Sequence, residues 1–187
     1  VENDLIRSHN CNVLKKSDAF PKVSVPEGFK FLKLNELGKV FEMLQSQPFT
    51  LKAFFLMLAL TCLRPGECRQ LKFEYFDFNN SVINVPGSLM KVKKNKVFRI
   101  PFTNPMKLVY EACRKRQSQD ELNFLFTALK NKNKALSEQV LSKAMKNCTQ
   151  GLMHPHGFRK TARSWFAEQQ VNAEVAAKCL DHVLNTG

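Results

Sequence analysis

The sequence predicts a mainly helical domain built around a small antiparallel β-sheet, an α+β fold. Three observations carry this reading. Apolar residues recur at helical spacing through most of the chain, with cap residues at the expected starts. One stretch, Phe73–Phe102, leaves that period and holds two short β-rich runs. Apolar residues make up 44% of 187, enough to bury one good-sized core.

Taken in order, residues 1–28 read as a lead-in. Val1–Ile6 fits the tail of a preceding helix, and Asn10–Pro26 is polar with two prolines, as linkers are. The main domain then runs from 29 to 187. Asn35 is placed to cap an amphipathic helix with Leu37, Val40, Phe41 and Leu44 on one side. Thr50–Leu63 is apolar nearly all round, which predicts a buried central helix. A break at Leu63-Arg64 precedes Pro65, whose fixed φ suits a first helical position, with Glu67 in the first turn. Val82, Ile83 and Val85 form one strand and Val97, Phe98 and Ile100 another. Between them Lys91–Lys96 makes a basic hairpin tip. Helical spacing resumes over Pro105–Arg116 and again from Ser137, an N-cap, to about Asn147. Phe124-Leu125-Phe126 is short and apolar, and Lys130–Lys134 reads as a polar, basic loop. The last helices cover about 156–170 and 173–180, the second capped by Asn172. In the first of them Phe158, Ala162, Trp165 and Phe166 supply an apolar stripe.

The chain carries 29 basic and 16 acidic side chains, a net charge of +13. Such an excess favours a polyanionic partner, nucleic acid above all, over a merely basic surface. Six cysteines lack regular spacing, and no signal peptide is visible, which predicts a reduced, intracellular protein. Cys62 and Cys179 lie in apolar patterns, where buried thiols are ordinary. The longest apolar run, Ala53–Leu60, is too short to span a bilayer.

The chemistry concentrates in His156-Gly157-Phe158-Arg159-Lys160-Thr161-Ala162-Arg163, with Arg64 far upstream and Asp181-His182 just downstream. His156 and Arg159, three apart, share one helix face. Arginine presents a planar fork of donors that matches phosphate oxygens in pairs, so the set suits a phosphodiester. Glu67 can pair with Arg64 or cap its helix. A lysine of the hairpin tip could protonate an alkoxide leaving group, although spacing does not choose which; the same lysines could merely protect a sheet edge. His154, His156 and Cys148, or Cys179 and His182, fit no closed zinc ligand set. There is no Gly-rich phosphate loop and no GxSxG motif, so nucleotide hydrolysis and α/β-hydrolase chemistry fall away.

Four segments in order, "TCLRPGECRQL", "VPGSLMKVKKNKVFRIP", "MHPHGFRKTARSWFAEQQ" and "CLDHVLNTG", resemble the tyrosine recombinases, the phage-type integrases of prophages, genomic islands and integrative elements. The resemblance covers roughly residues 30–187, and "LIRSHNCNVL" is similar to the end of the core-binding domain that precedes the catalytic domain in that family. It implies the DNA breaking-rejoining catalytic core and site-specific cutting and rejoining of DNA through a 3′-phosphotyrosine. No cofactor or metal would be needed. The implied partners are duplex attachment-site DNA and, on DNA, a tetramer of the full-length protein; the implied location is the cytoplasm of a bacterium, at the nucleoid.

Residue by residue, the resemblance assigns Arg64 and Arg159 to the non-bridging oxygens of the scissile phosphate and Lys91 to general-acid catalysis. It assigns His156 to proton transfer or a phosphate hydrogen bond, His182 to the same phosphate, and Glu67 to support of Arg64. Lys93, Lys94, Lys96, Lys160 and Arg163 are the expected DNA contacts. The family's nucleophilic tyrosine follows its last histidine, whereas this sequence has only Tyr75 and Tyr110. Neither matches the nucleophile motif, so the expectation is a catalytic domain cut before its tyrosine, monomeric and unable to cleave DNA. A non-catalytic DNA-binding module on the same scaffold is the alternative.

Overall fold

The computed structural model describes residues 29–90, 96–117, 123–128 and 130–180. The lead-in 1–28, most of the basic hairpin tip and Asp181-His182 lie outside the described residues.

The first helix, α1 (Leu37–Met43), is entered through a 3₁₀ turn over Leu34–Glu36. Asn35 therefore does not cap it: the Glu36 carboxylate accepts the Lys33 N–H at 2.9 Å, and Asn35 sits inside the turn. The expected stripe is otherwise present, with Leu37, Val40 and Leu44 buried. Helix α2 (Phe49–Thr61) is the buried central element, its Phe54, Phe55, Met57 and Leu58 sealed from solvent. It ends in a left-handed residue, Cys62 at φ 53°, whose N–H bonds back to Leu58. That reversal lets Pro65 open the one-turn α3 (Pro65–Cys68).

Three strands follow in the order β1 (Phe76–Asp77), β2 (Val82–Val85) and β3 (Phe98–Pro101), all antiparallel. Ile83 pairs with Ile100 and both are buried, while the intervening Asn84–Arg99 pair faces the other way. Helix α4 (Asn104–Arg114) closes the sheet with Met106, Val109 and Tyr110.

The basic segment read as a loop is instead a strand. β4 (Thr127–Ala128) and β5 (Asn131–Ala135) form a two-stranded hairpin. Residues 131–134 are exposed, so neither face carries the apolar alternation by which a strand is recognised. Leu125 and Phe126 anchor the hairpin in the core, beside Phe54.

Ser137 caps α5 (Glu138–Cys148), accepting the Val140 N–H, and Asn172 caps α7 (Ala173–Cys179), accepting from Glu174 and Val175. Between them lies α6 (Gly157–Glu168). Its expected stripe holds only at the start. Phe158 is buried, but Trp165 is 38% exposed and Phe166 half-buried. The first turns dock on α1 and α2, and the C-terminal half runs past the edge of that contact. Cys179 is likewise exposed rather than buried, because α7 turns only Ala177 inward. Among the described residues the buried thiols are Cys68 and Cys113, which belong to elements packed on the central core.

Candidate active site

Arg64 is the last residue of the junction between α2 and α3, extended at φ −68° and ψ 145°. Glu67 holds it twice. One carboxylate oxygen accepts the Arg64 backbone N–H at 2.9 Å, and the other pairs with Nη1 at 2.9 Å. Glu67 is 3% exposed, so this carboxylate is a fixed counter-charge rather than a surface group. The sequence leaves Glu67 two options, cap or partner; the structure uses both.

Arg159 comes from the first turn of α6 and is 8% exposed. Its Nη1 donates to the Cys62 carbonyl at 2.7 Å, across 97 residues of chain. The bond closes on the left-handed residue that ends α2, two positions before Arg64. Two guanidinium groups are thereby brought to one junction.

His156 is the residue that starts α6. Burial of its ring, the adjacent His154, and the charges of Arg159 and Arg64 hold its pKa below the ordinary value of 6.5; Glu138 acts in the opposite sense. The imidazole is thus neutral at pH 7 and lies in the field of both arginines. Glu138, at the start of α5, does not stand out in the sequence, where an acidic residue after a serine cap signals only a helix start. Its Oε1 lies 3.6 Å from Arg69 Nε, and a Cβ on Gly66 would sit 2.8 Å from it.

A strap formed by residues 29–32 crosses the start of α6. The Phe29 carbonyl accepts from Lys160 Nζ at 2.9 Å, the Lys30 carbonyl from the His154 N–H at 3.2 Å, and the Leu32 carbonyl from the Thr161 hydroxyl. Lys160, expected on DNA, spends one donor on the strap and lies over the Phe31 ring. Lys96 and Arg163 are exposed. Lys91, Lys93, Lys94 and His182 lie outside the described residues. Among the described residues no three His, Cys, Asp or Glu side chains group as metal ligands, and no helix is long and apolar enough to cross a membrane.

The described residues form a mainly helical domain with a small three-stranded antiparallel sheet, in which Arg159 is tied to the junction that carries Arg64. The sequence matches the Phage integrase family over residues 30–185, and the chain belongs to that family. It is 22% identical over 194 residues to prophage integrase IntA of Escherichia coli, covering 98% of this chain and 45% of that protein. It is 29% identical over 134 residues to a probable integrase/recombinase of Acholeplasma phage L2, covering 71% of this chain and 45% of that one. The chain thus spans under half the length of these relatives. Among solved structures it resembles the lambda integrase catalytic core, with a TM-score of 0.62, 16% identity, and coverage of 81% of this chain and 90% of that one. It also resembles lambda integrase in a dimer bound to a COC′ core site, at TM-score 0.67 and 17% identity, over 91% of this chain and 49% of that one.

Proposed function

We propose that this chain is the catalytic domain of a tyrosine-type site-specific DNA recombinase, and that Arg64, Arg159 and His156 grip the scissile phosphate. The observation that carries the reading is the Arg159–Cys62 bond, which seats a buried guanidinium beside the Glu67-held Arg64 with His156 in the field of both.

In the reaction a tyrosine hydroxyl attacks phosphorus and the 5′-oxygen leaves, giving a 3′-phosphotyrosine; reversal by a new 5′-hydroxyl rejoins the strand. Negative charge grows on the non-bridging oxygens, and preorganised guanidinium donors are strongest where that charge develops. Lys91 delivers a proton to the departing oxygen, and His182 adds a hydrogen bond to the phosphate. Neutral His156 can accept the nucleophile's proton or donate to the phosphate. Tyr110 is 4% exposed among Phe73, Phe76, Phe78 and Phe102, a packing role. The nucleophile in this reading is a tyrosine that follows His182 in the full gene product.

The partner is duplex DNA, gripped by Lys93, Lys94, Lys96, Lys160 and Arg163, with tetramers forming on DNA and the isolated domain monomeric. The setting is the bacterial cytoplasm. Titrating this domain with duplex DNA at several salt concentrations tests the partner. Affinity should fall steeply with salt, by a log–log slope of about 0.9 per phosphate neutralised. Affinity indifferent to salt would refute a DNA partner. The full gene product should form a covalent adduct on its own attachment site, and binding without any adduct would leave the non-catalytic module as the answer.

A further inference from the structure

Phe29 stacks on both histidines at the start of α6. Its ring centroid lies 4.3 Å from that of His154 at 15°, and 4.7 Å from that of His156 at 14°. The two imidazoles are parallel within 2° and 5.6 Å apart. A phenyl sandwiched between them would force their planes about 7 Å apart, twice the usual contact distance, so the phenyl covers one common side of the pair. The strap that carries it is tied on by the three hydrogen bonds to Lys160, His154 and Thr161. Gly157 lets the strap lie close, since a Cβ there would meet the Lys30 carbonyl at 2.7 Å.

We propose that Phe29 is a positioning residue for His156: the strap fixes the plane of the imidazole from outside the phosphate site. In this arrangement Phe29 acts through the histidine, on which its ring is stacked. The charged and titratable groups around that ring are His154 on the preceding loop, Glu138 on α5, Arg159 on α6 and Arg64 before α3. The functional weight of the proposal rests on His156 serving the phosphate, while the positioning itself does not.

The test follows the His156 ring protons by NMR in the wild-type domain and in Phe29→Leu and Phe29→Tyr, with His156→Gln to assign the signal. Leu keeps apolar bulk without a facing ring; Tyr keeps the ring. Phe29→Leu should remove the upfield shift imposed by the phenyl and raise the His156 titration midpoint toward that of a free histidine. Phe29→Tyr should preserve both. Phe29 is 49% exposed, so neither variant threatens the fold. An unchanged His156 signal in Phe29→Leu overturns the proposal, as does loss of the signal's character in Phe29→Tyr. Adding duplex DNA separates the two readings. If Phe29→Leu moves His156 but DNA moves it in neither form, positioning stands and the role of His156 at the phosphate fails. If DNA moves His156 identically in wild type and Phe29→Leu, positioning fails and the site reading stands.

Discussion

The guanidinium of Arg159 hydrogen-bonds the carbonyl of Cys62 at 2.7 Å, and Cys62 is the left-handed residue on which α2 ends. One donor of the fork is thus spent on architecture, and it aligns the α6 start with the loop that presents Arg64. A planar guanidinium can hold such an anchor and still aim its remaining N–H groups elsewhere. An ammonium at the same place is a point charge on a flexible stem.

Arg159→Ala should therefore cost the full gene product about 10²–10³ in cleavage rate, the loss typical of one preorganised donor at a charged transition state. Arg159→Lys should recover part of this at best. Single-turnover cleavage of a suicide substrate reads both, and full activity in Arg159→Lys would refute the fork argument.

The pH dependence follows from His156 and His154, whose folded pKa values are both lowered, chiefly by burial. The fold prefers the neutral rings, and the unfolded chain binds protons more readily. Stability from these groups is complete above the free value of 6.5 and is lost as pH falls through the lower folded values. Chemical denaturation midpoints should decline below about pH 6.5, and His156→Gln should flatten part of that decline. A DNA phosphate favours the charged ring, so DNA binding should take up a proton and tighten as the solution is acidified.

Gly157→Ala should destabilise the domain although alanine favours helices. The added Cβ would stand 2.7 Å from the Lys30 carbonyl and 3.0 Å from Met153 Cγ. The carbonyl is held by His154 and its neighbours in the strap are held by Lys160 and Thr161, so it cannot retreat without breaking bonds. Overpacking of this kind costs about 1–3 kcal/mol, and each kcal/mol lowers Tm by about 2–4 °C in a domain of this size. Calorimetry checks it; an unchanged or raised Tm would show the strap to be loosely held.

Thiol labelling should separate the cysteines by burial. Among the cysteines of the described residues Cys179 is exposed and should react first. Burial pushes the Cys113 thiol up to about 12, and that of Cys68 higher still, so both should resist alkylation until the domain unfolds. Mass mapping of the labelled peptides reads the order, and early labelling of Cys68 would contradict the packing of α3.

The features legible in the sequence are those that repeat at short range. The α1 stripe, the apolar α2, the Ser137 and Asn172 caps and the paired runs around Ile83 and Ile100 all follow from local periodicity and cap chemistry. The Asn131–Ala135 strand is hidden because an exposed hairpin needs no apolar face. Trp165 and Cys179 mislead because an apolar spacing says which residues share a side, not whether a neighbour covers it. Arg64, His156 and Arg159 can be singled out by residue type and motif order. Phe29 and Glu138 cannot. Phe29 reaches His156 only across the folded chain, and Glu138 carries the local signature of any acidic helix start.

The long sequence gap between Arg159 and Cys62 also sets when the proposed phosphate grip can exist. During synthesis Arg64 and Glu67 emerge together and can pair at once, because their contact is local. The second guanidinium arrives 95 residues after Arg64, the 97 spanned to Cys62 less the two from Cys62 to Arg64, and it must then find the end of α2. Closing so large a loop is slow compared with forming a helix turn. A nascent chain therefore carries the first half of the proposed grip while the intervening residues are made, and the complete one forms only when α6 docks.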